Sequence, residues 1–146
     1  MPRIKIDLPD SFHFTAFIPI RITDINYGGH VGNDTILSLI HEARMQFLGS
    51  HGYKELEFEG AGMIMADAGI EFKNELFYGD MVEVSVTAAG FSKVSFDIYY
   101  KIEKEADGKK LVVAIAKTGM VCYDYANKKI VPVPEKAKLK LITDNG

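Results

Sequence analysis

Between residues 21 and 44 the chain gathers groups able to hold, polarise or deprotonate a ligand: Asp24, Asn26, His30, Asn33, Asp34, His41, Glu42 and Arg44. Gly28, Gly29 and Gly32 are interleaved with them in DINYGGHVGND, residues 24–34. Histidine is the side chain that ordinarily takes up protons near neutral pH, and a carboxylate serves as general base or nucleophile. The amide of Asn26 does neither, and acts only through hydrogen bonds. Glycines let a backbone approach a ligand closely. A helix beginning at this point offers free N–H groups backed by its dipole. Together these groups suit a reaction that develops an oxyanion while a water is oriented and deprotonated.

Each of these residues also has a plainer use. Asn26 can tie its own turn, His30 can bond to backbone, and Asp24 can fasten the loop. Asn33 or Asp34 can cap the helix, and Glu42 can pair with Arg44 or Arg21. Other chemistries fail on spacing. YGGHVG lacks the GxGxxG pattern and is followed by hairpins instead of a βαβ unit. His41-Glu42 begins an HExxH motif, but Met45 takes the place of the second histidine, so no metal is expected. Ser38, Ser50, Ser92 and Ser95 have no GxSxG setting. The single cysteine, Cys122, lies in the apolar run VVAIAKTGMVCY and reads as a buried inert thiol.

The elements around the loop follow from periodicity. FTAFIPIRI, residues 14–22, alternates as a strand, with Pro19 marking an edge or bulge. DTILSLIHEARMQFLG spaces Ile36, Leu37, Ile40, Ala43, Phe47 and Leu48 as a helix that ends near Gly49. This helix is apolar around much of its girth and calls for a sheet wrapped around it. From Gly60 onward the chain reads as four strands separated by FYGD, AAGFS and EADGKK. Connections so short impose antiparallel pairing. PVPEKAKLKL closes the chain as a proline-marked loop and a short helix. The expected architecture is α+β, an antiparallel curled sheet wrapped around one long central helix. Met63, Met65, Phe17 and Tyr99 are expected on the face away from the helix, where they would favour dimerisation.

A chain of 146 residues is expected to form one domain, residues 1–146. With 47% hydrophobic and 25% charged residues it is too balanced for long disorder. A formal charge of -3 gives no field to draw it onto nucleic acid or an anionic membrane. No segment approaches the roughly 20 apolar residues of a membrane span, and no signal peptide is visible, so a cytoplasmic location is expected.

RITDINYGGHVGNDTILSLIHEARMQFL resembles the signature of the hot-dog-fold thioesterases, in particular the 4-hydroxybenzoyl-CoA thioesterase-like group. Arg21, Asp24, Gly29, His30, Val31, Asn33, Glu42, Ala43 and Arg44 match that pattern as they stand. IEFKNELFYGDMVEVSV is similar to the family's later strand and Gly-Asp turn, and the resemblance runs from about residue 14 to residue 125. It implies a hot-dog fold and homodimers, often paired into tetramers, with sites at the subunit interface. It also implies acyl-CoA or acyl-carrier-protein thioesters as substrates, and no cofactor beyond the CoA that the substrate carries. In the family's bacterial CoA thioesterases the second Asp of D-x-D is the catalytic carboxylate, and here that position is Asn26.

The expected catalytic set is therefore Asn26, His30 and Glu42 around a water, with Asp24 in reserve. Gly29, Gly32, Asn33 and Asp34 at the helix start would form the oxyanion hole. Lys73, Ser92 and Lys93 would meet the substrate, the lysines at its phosphates. Ile36, Leu37, Ile40, Met63 and Met65 would line an acyl tunnel. The functional expectation is a thioester hydrolase. The alternative is a non-catalytic acyl-thioester binding module, motivated by Asn26.

Overall fold

The structure, a computed structural model, describes residues 3–143. Five long elements follow the first strand in the order that the sequence predicts. β1 is Phe14–Pro19, α1 is Asn33–Ser50, β2 is Gly62–Phe72, β3 is Met81–Ala89, β4 is Ser95–Ala106 and β5 is Lys109–Asp124. A two-residue strand β6, Lys129–Ile130, and a closing helix α2, Glu135–Thr143, complete the chain.

All strands pair antiparallel in one sheet of order β1-β3-β4-β5-β2, with β6 added beside β5. β1 and β2 are consecutive strands yet lie at opposite edges, so α1, which joins them, has to traverse the sheet. It does so on the inner face, burying Ile36, Leu39, Ile40, Ala43, Phe47 and Leu48 against Val84, Val86, Ile98, Tyr100 and Met120. This is the hot-dog arrangement, and its apolar core explains why the helix carries hydrophobic residues on so much of its surface.

Local chemistry sets the turns. The β4–β5 hairpin passes through Asp107 at φ 53° and Gly108 at φ 77°, the two positive values a type I′ turn requires. Pro19 closes β1 at the sheet edge, where a missing N–H costs no ladder bond. Gly49 does not end α1: the helix continues to Ser50, and the chain turns through Gly52 at φ 81°.

The outer face differs from the expectation. Met63 points inward and is 2% exposed, and Met65, on the same side of β2, faces a cleft beside α1. The outer surface carries ion pairs: Lys117 with Asp67 and Asp97, Lys101 with Glu103, and Lys110 with Glu83. Period-2 alternation puts Met63 and Met65 on one face but does not say which. Cys122 is buried as expected, and burial pushes its thiol up to about 11.

Candidate active site between the first loop and the central helix

The loop from β1 to α1 is laced to the loop between β2 and β3. Val31 N–H donates to the Leu76 carbonyl at 2.9 Å, Ile20 N–H to Asp80 at 2.9 Å and Gly79 N–H to Ile20 at 3.3 Å. A bulge in β5 aims the second loop. The β4–β5 register slips past Val113, whose carbonyl accepts from both Lys73 and Asn74 N–H. The Asn74 side chain bonds Val112, and Lys104 Nζ donates to the Glu75 carbonyl. Lys73 and Glu75 are thereby carried to the start of α1.

Asn26 is oriented by its own turn. Its Oδ1 accepts from Gly28 N–H at 2.8 Å, its carbonyl accepts from Gly29 N–H and its N–H donates to the His30 carbonyl. Gly29 sits at φ 86°, a conformation that favours glycine. With Oδ1 engaged, Nδ2 is the group left for a ligand, and it lies beside Gly32. Gly32, and not Asn33 or Asp34, is the N-cap of α1, and it has no side-chain cap. The first N–H groups of a helix have no intrahelical partner, so those of Gly32, Asn33 and Asp34 form a donor cluster next to the Asn26 amide. Asp34 leans its Oδ1 against Gly32, in space that a Cβ there would occupy.

Three clefts flank α1, one at its start and two further along it. The first, about 260 Å³, is lined by His30, Val31, Asn33 and Ile36 with Phe72, Lys73, Asn74, Glu75 and Leu76. His30 Nε2 lies 3.9 Å from Glu75 Oε1. The second, about 300 Å³, lies on the β1 side and holds Arg21, Asp24, Ser38, Glu42 and Gln46. Asp24 is buried there, and burial pushes its carboxyl up. The side-chain and backbone hydrogen bonds from Arg21, with the guanidinium charge, outweigh that and hold it below the usual carboxylate range. Glu42 accepts from Gln46 at 2.7 Å. The third cleft, about 230 Å³, lies towards β2 and is lined by Leu37, Ser38, Ile40, His41, Arg44, Met65 and Thr118.

The expected catalytic residues are thus only partly brought together. Asn26 and His30 share one loop with Gly29, Gly32, Asn33 and Asp34, and Lys73 joins His30 in its cleft. Glu42 and Asp24 occupy the other side of the helix, in a cleft with no lining residue in common with that of His30. Ser92 and Lys93 are in the β3–β4 hairpin, with Ser92 bonded to Ser95 and the Lys93 carbonyl bonded by Val133 N–H. The nine residues of β3 separate them from the loop by roughly 26 Å. Glu75 was not foreseen: it lies 45 positions beyond His30, and only the Val31–Leu76 pairing and the β5 bulge bring it close. Ile36, Leu37, Ile40 and Met65 do line clefts, while Met63 belongs to the core. Among the described residues no group of three or more His, Cys, Asp or Glu is placed to hold a metal. None of their helices is long and apolar enough to cross a membrane.

One sheet curled on one helix, with a polar loop at the helix start, defines the hot-dog class. Solved structures share it. A 1,4-dihydroxy-2-naphthoyl-CoA thioesterase from Synechocystis superposes with a TM-score of 0.78 at 24% identity, covering 90% of this chain and 96% of that one. A mutant of 4-hydroxybenzoyl CoA thioesterase complexed with 4-hydroxybenzoyl CoA gives 0.79 at 16% identity, covering 88% and 97%. In sequence, a 1,4-dihydroxy-2-naphthoyl-CoA hydrolase of Microcystis aeruginosa is 30% identical over 122 residues, 82% of this chain and 86% of the relative. Residues 20–141 match the thioesterase-like superfamily, and the chain belongs to that family. It is a thioester hydrolase.

Proposed function

We propose that the protein hydrolyses an acyl-CoA thioester at the start of α1, with His30 activating the water. The observation that carries this reading is the juxtaposition of the His30–Glu75 pair with uncapped helix N–H groups and the Asn26 amide, all at the start of α1. The thioester carbonyl would sit over Gly32 and Asn33, where backbone N–H groups and Asn26 Nδ2 supply donors for the developing oxyanion. His30 would take the proton of the attacking water, and Glu75 would favour the imidazolium that results. Asn26 then serves as a donor, which an amide can do and a carboxylate cannot. Lys73 beside His30 is placed to meet the CoA end. The CoA ester, in preference to a carrier-protein ester, is suggested by the Microcystis relative, whose name specifies a CoA hydrolase.

The working form is proposed to be a homodimer. β2 is an 11-residue edge strand paired with β5, and Ile64 and Met65 are exposed along it. So long an unpaired edge favours addition of a second copy's β2 across a two-fold axis, which would also close the clefts between α1 and β2. The test is free-thiol release over an acyl-CoA panel running from acetyl to palmitoyl with aryl esters included. Turnover in the wild type that falls about 10²–10⁴-fold in His30→Ala supports the assignment; absence of cleavage on every ester removes it.

A further inference from the structure

The formal charge of -3 is a sum over two unlike regions. Residues 128–140 hold five lysines, Lys128, Lys129, Lys136, Lys138 and Lys140, against one glutamate, Glu135, so the rest of the chain is more acidic than the total suggests. The fold adds Lys93 to this basic group. Val133 N–H donates to the Lys93 carbonyl at 2.8 Å, and Phe91, in the same hairpin, lies under Lys138 Nζ with the ring centroid 6.0 Å away. Lys140 Nζ donates to the His51 carbonyl at 2.9 Å and sits 5.0 Å from the centroid of the Tyr53 ring. Lys138 and Lys140 thus lay their stems along aromatic rings on the two flanks of α2, with their charges at the surface. Lys93, Lys128, Lys129 and Lys136 are exposed, and among the described residues none of them is in an ion pair.

Between those flanks α2 carries an apolar ridge. Ala137 and Leu141 belong to the core, while Leu139 and Ile142 are 51% and 45% exposed and follow Lys136 at a spacing of three along one side of the helix. Ile130, next to Lys129, is 57% exposed. Glu135 lies in the first turn, where a carboxylate complements the helix dipole. A helix of nine residues spans about 13 Å, too short to cross a bilayer, and its inner face is already committed to the core. It can only lie against a surface. None of the three clefts includes a residue of α2, so this face offers no groove of the kind in which a partner helix beds. A one-signed ridge with apolar tips fits a lipid surface instead.

We propose that α2, with Lys93 and the Lys128–Lys129 turn, docks on an anionic membrane surface, the lysines over the lipid phosphates and Leu139 and Ile142 in the headgroup layer. Clusters of about four to eight lysines on an amphipathic helix draw a protein to anionic lipid, and apolar side chains beside them deepen the contact. Lys140 binds the residue that ends α1, so the docking face lies at the end of that helix away from His30, about 27 Å along its 18 residues. The cleft of His30 stays open to water. This surface is independent of the hydrolytic reading.

The test sediments the full chain with vesicles of phosphatidylcholine alone and of phosphatidylcholine with an equal part of phosphatidylglycerol. Binding to the mixed vesicles alone is expected, and it should vanish in about 1 M salt, where the Debye length falls to about 3 Å. Lys129→Gln with Lys136→Gln is expected to bind about 25-fold more weakly, about fivefold for each lysine. Leu139→Ser with Ile142→Ser should also weaken binding, and if that pair does not fold the lysine pair, exposed on the surface, still decides. Lys101→Gln with Lys110→Gln, on the outer sheet surface, should bind as the wild type does. No binding to mixed vesicles, equal binding to both kinds, binding that persists in high salt, or equal losses in the two lysine pairs overturns the proposal. Retention on immobilised polyglutamate without binding to mixed vesicles gives the face to an acidic protein and overturns it as well. Binding is read on the protein alone, so a failure of thioester cleavage leaves this surface standing.

Discussion

An amide stands where the family's CoA thioesterases use a carboxylate, and its neighbours show what it can do there. Asn26 Oδ1 is held by Gly28 N–H, an arrangement that an aspartate would reproduce. Asn26→Asp should therefore fold like the wild type while placing a negative charge among the donors of the helix start, and slower cleavage is expected at pH 7. Asp24 has a different task. Its carboxylate accepts three bonds from Arg21 and titrates below the usual range, so it stabilises the fold above its unfolded pKa near 3.9 and loses that contribution as pH falls through the lower folded value. Asp24→Asn is expected to cost about 1–3 kcal/mol at pH 7. The melting temperatures of variant and wild type should converge as the pH is taken down through that lowered folded value.

At the scale of elements, the loop works because its backbone is pinned at both ends and turned by Gly29. Gly29→Ala forces a side chain into φ 86°, with an expected loss of about 1–2 kcal/mol seen as a lower Tm. β5 offers a second check. Cys122 is buried with its thiol raised to about 11, so a thiol reagent at pH 8 should label it only as fast as the protein unfolds. Most of these elements were legible in the sequence: alternation marks the strands, the 3.6-residue spacing marks α1, and Asp107-Gly108 marks its hairpin. What was not legible depends on long-range pairing. The bulge at Val113 that swings Lys73 and Glu75 towards His30 has no local signal. Neither does the inward direction of Met63, nor the distance of Ser92 and Lys93 from the loop. The grouping of Asn26 and His30 could be read from adjacency in the chain. The separation of Glu42 needed the rotation of α1 against β1, which periodicity alone does not give.

For the whole molecule, the two edges of the sheet are unequal. β1 ends in Pro19, which discourages pairing, whereas β2 is long and carries exposed Ile64 and Met65. Placing lysines at Ala66 and Ala68 on that edge is expected to convert the proposed homodimer into a monomer by light scattering at micromolar concentration. Activity should fall with it, since the two clefts beside α1 that Phe72 and Met65 of β2 line lie next to the same edge. A dimer undisturbed by these charges would place the interface elsewhere. The central claim, that hydrolysis is driven from the loop by His30 and not from the opposite side of α1, is tested most directly by single-turnover cleavage of an aryl-CoA ester by wild type, His30→Ala and Glu42→Gln. The account predicts a loss of about 10²–10⁴-fold in His30→Ala, with Glu42→Gln within a few-fold of wild type. A Glu42→Gln enzyme that is dead beside a competent His30→Ala enzyme would contradict it.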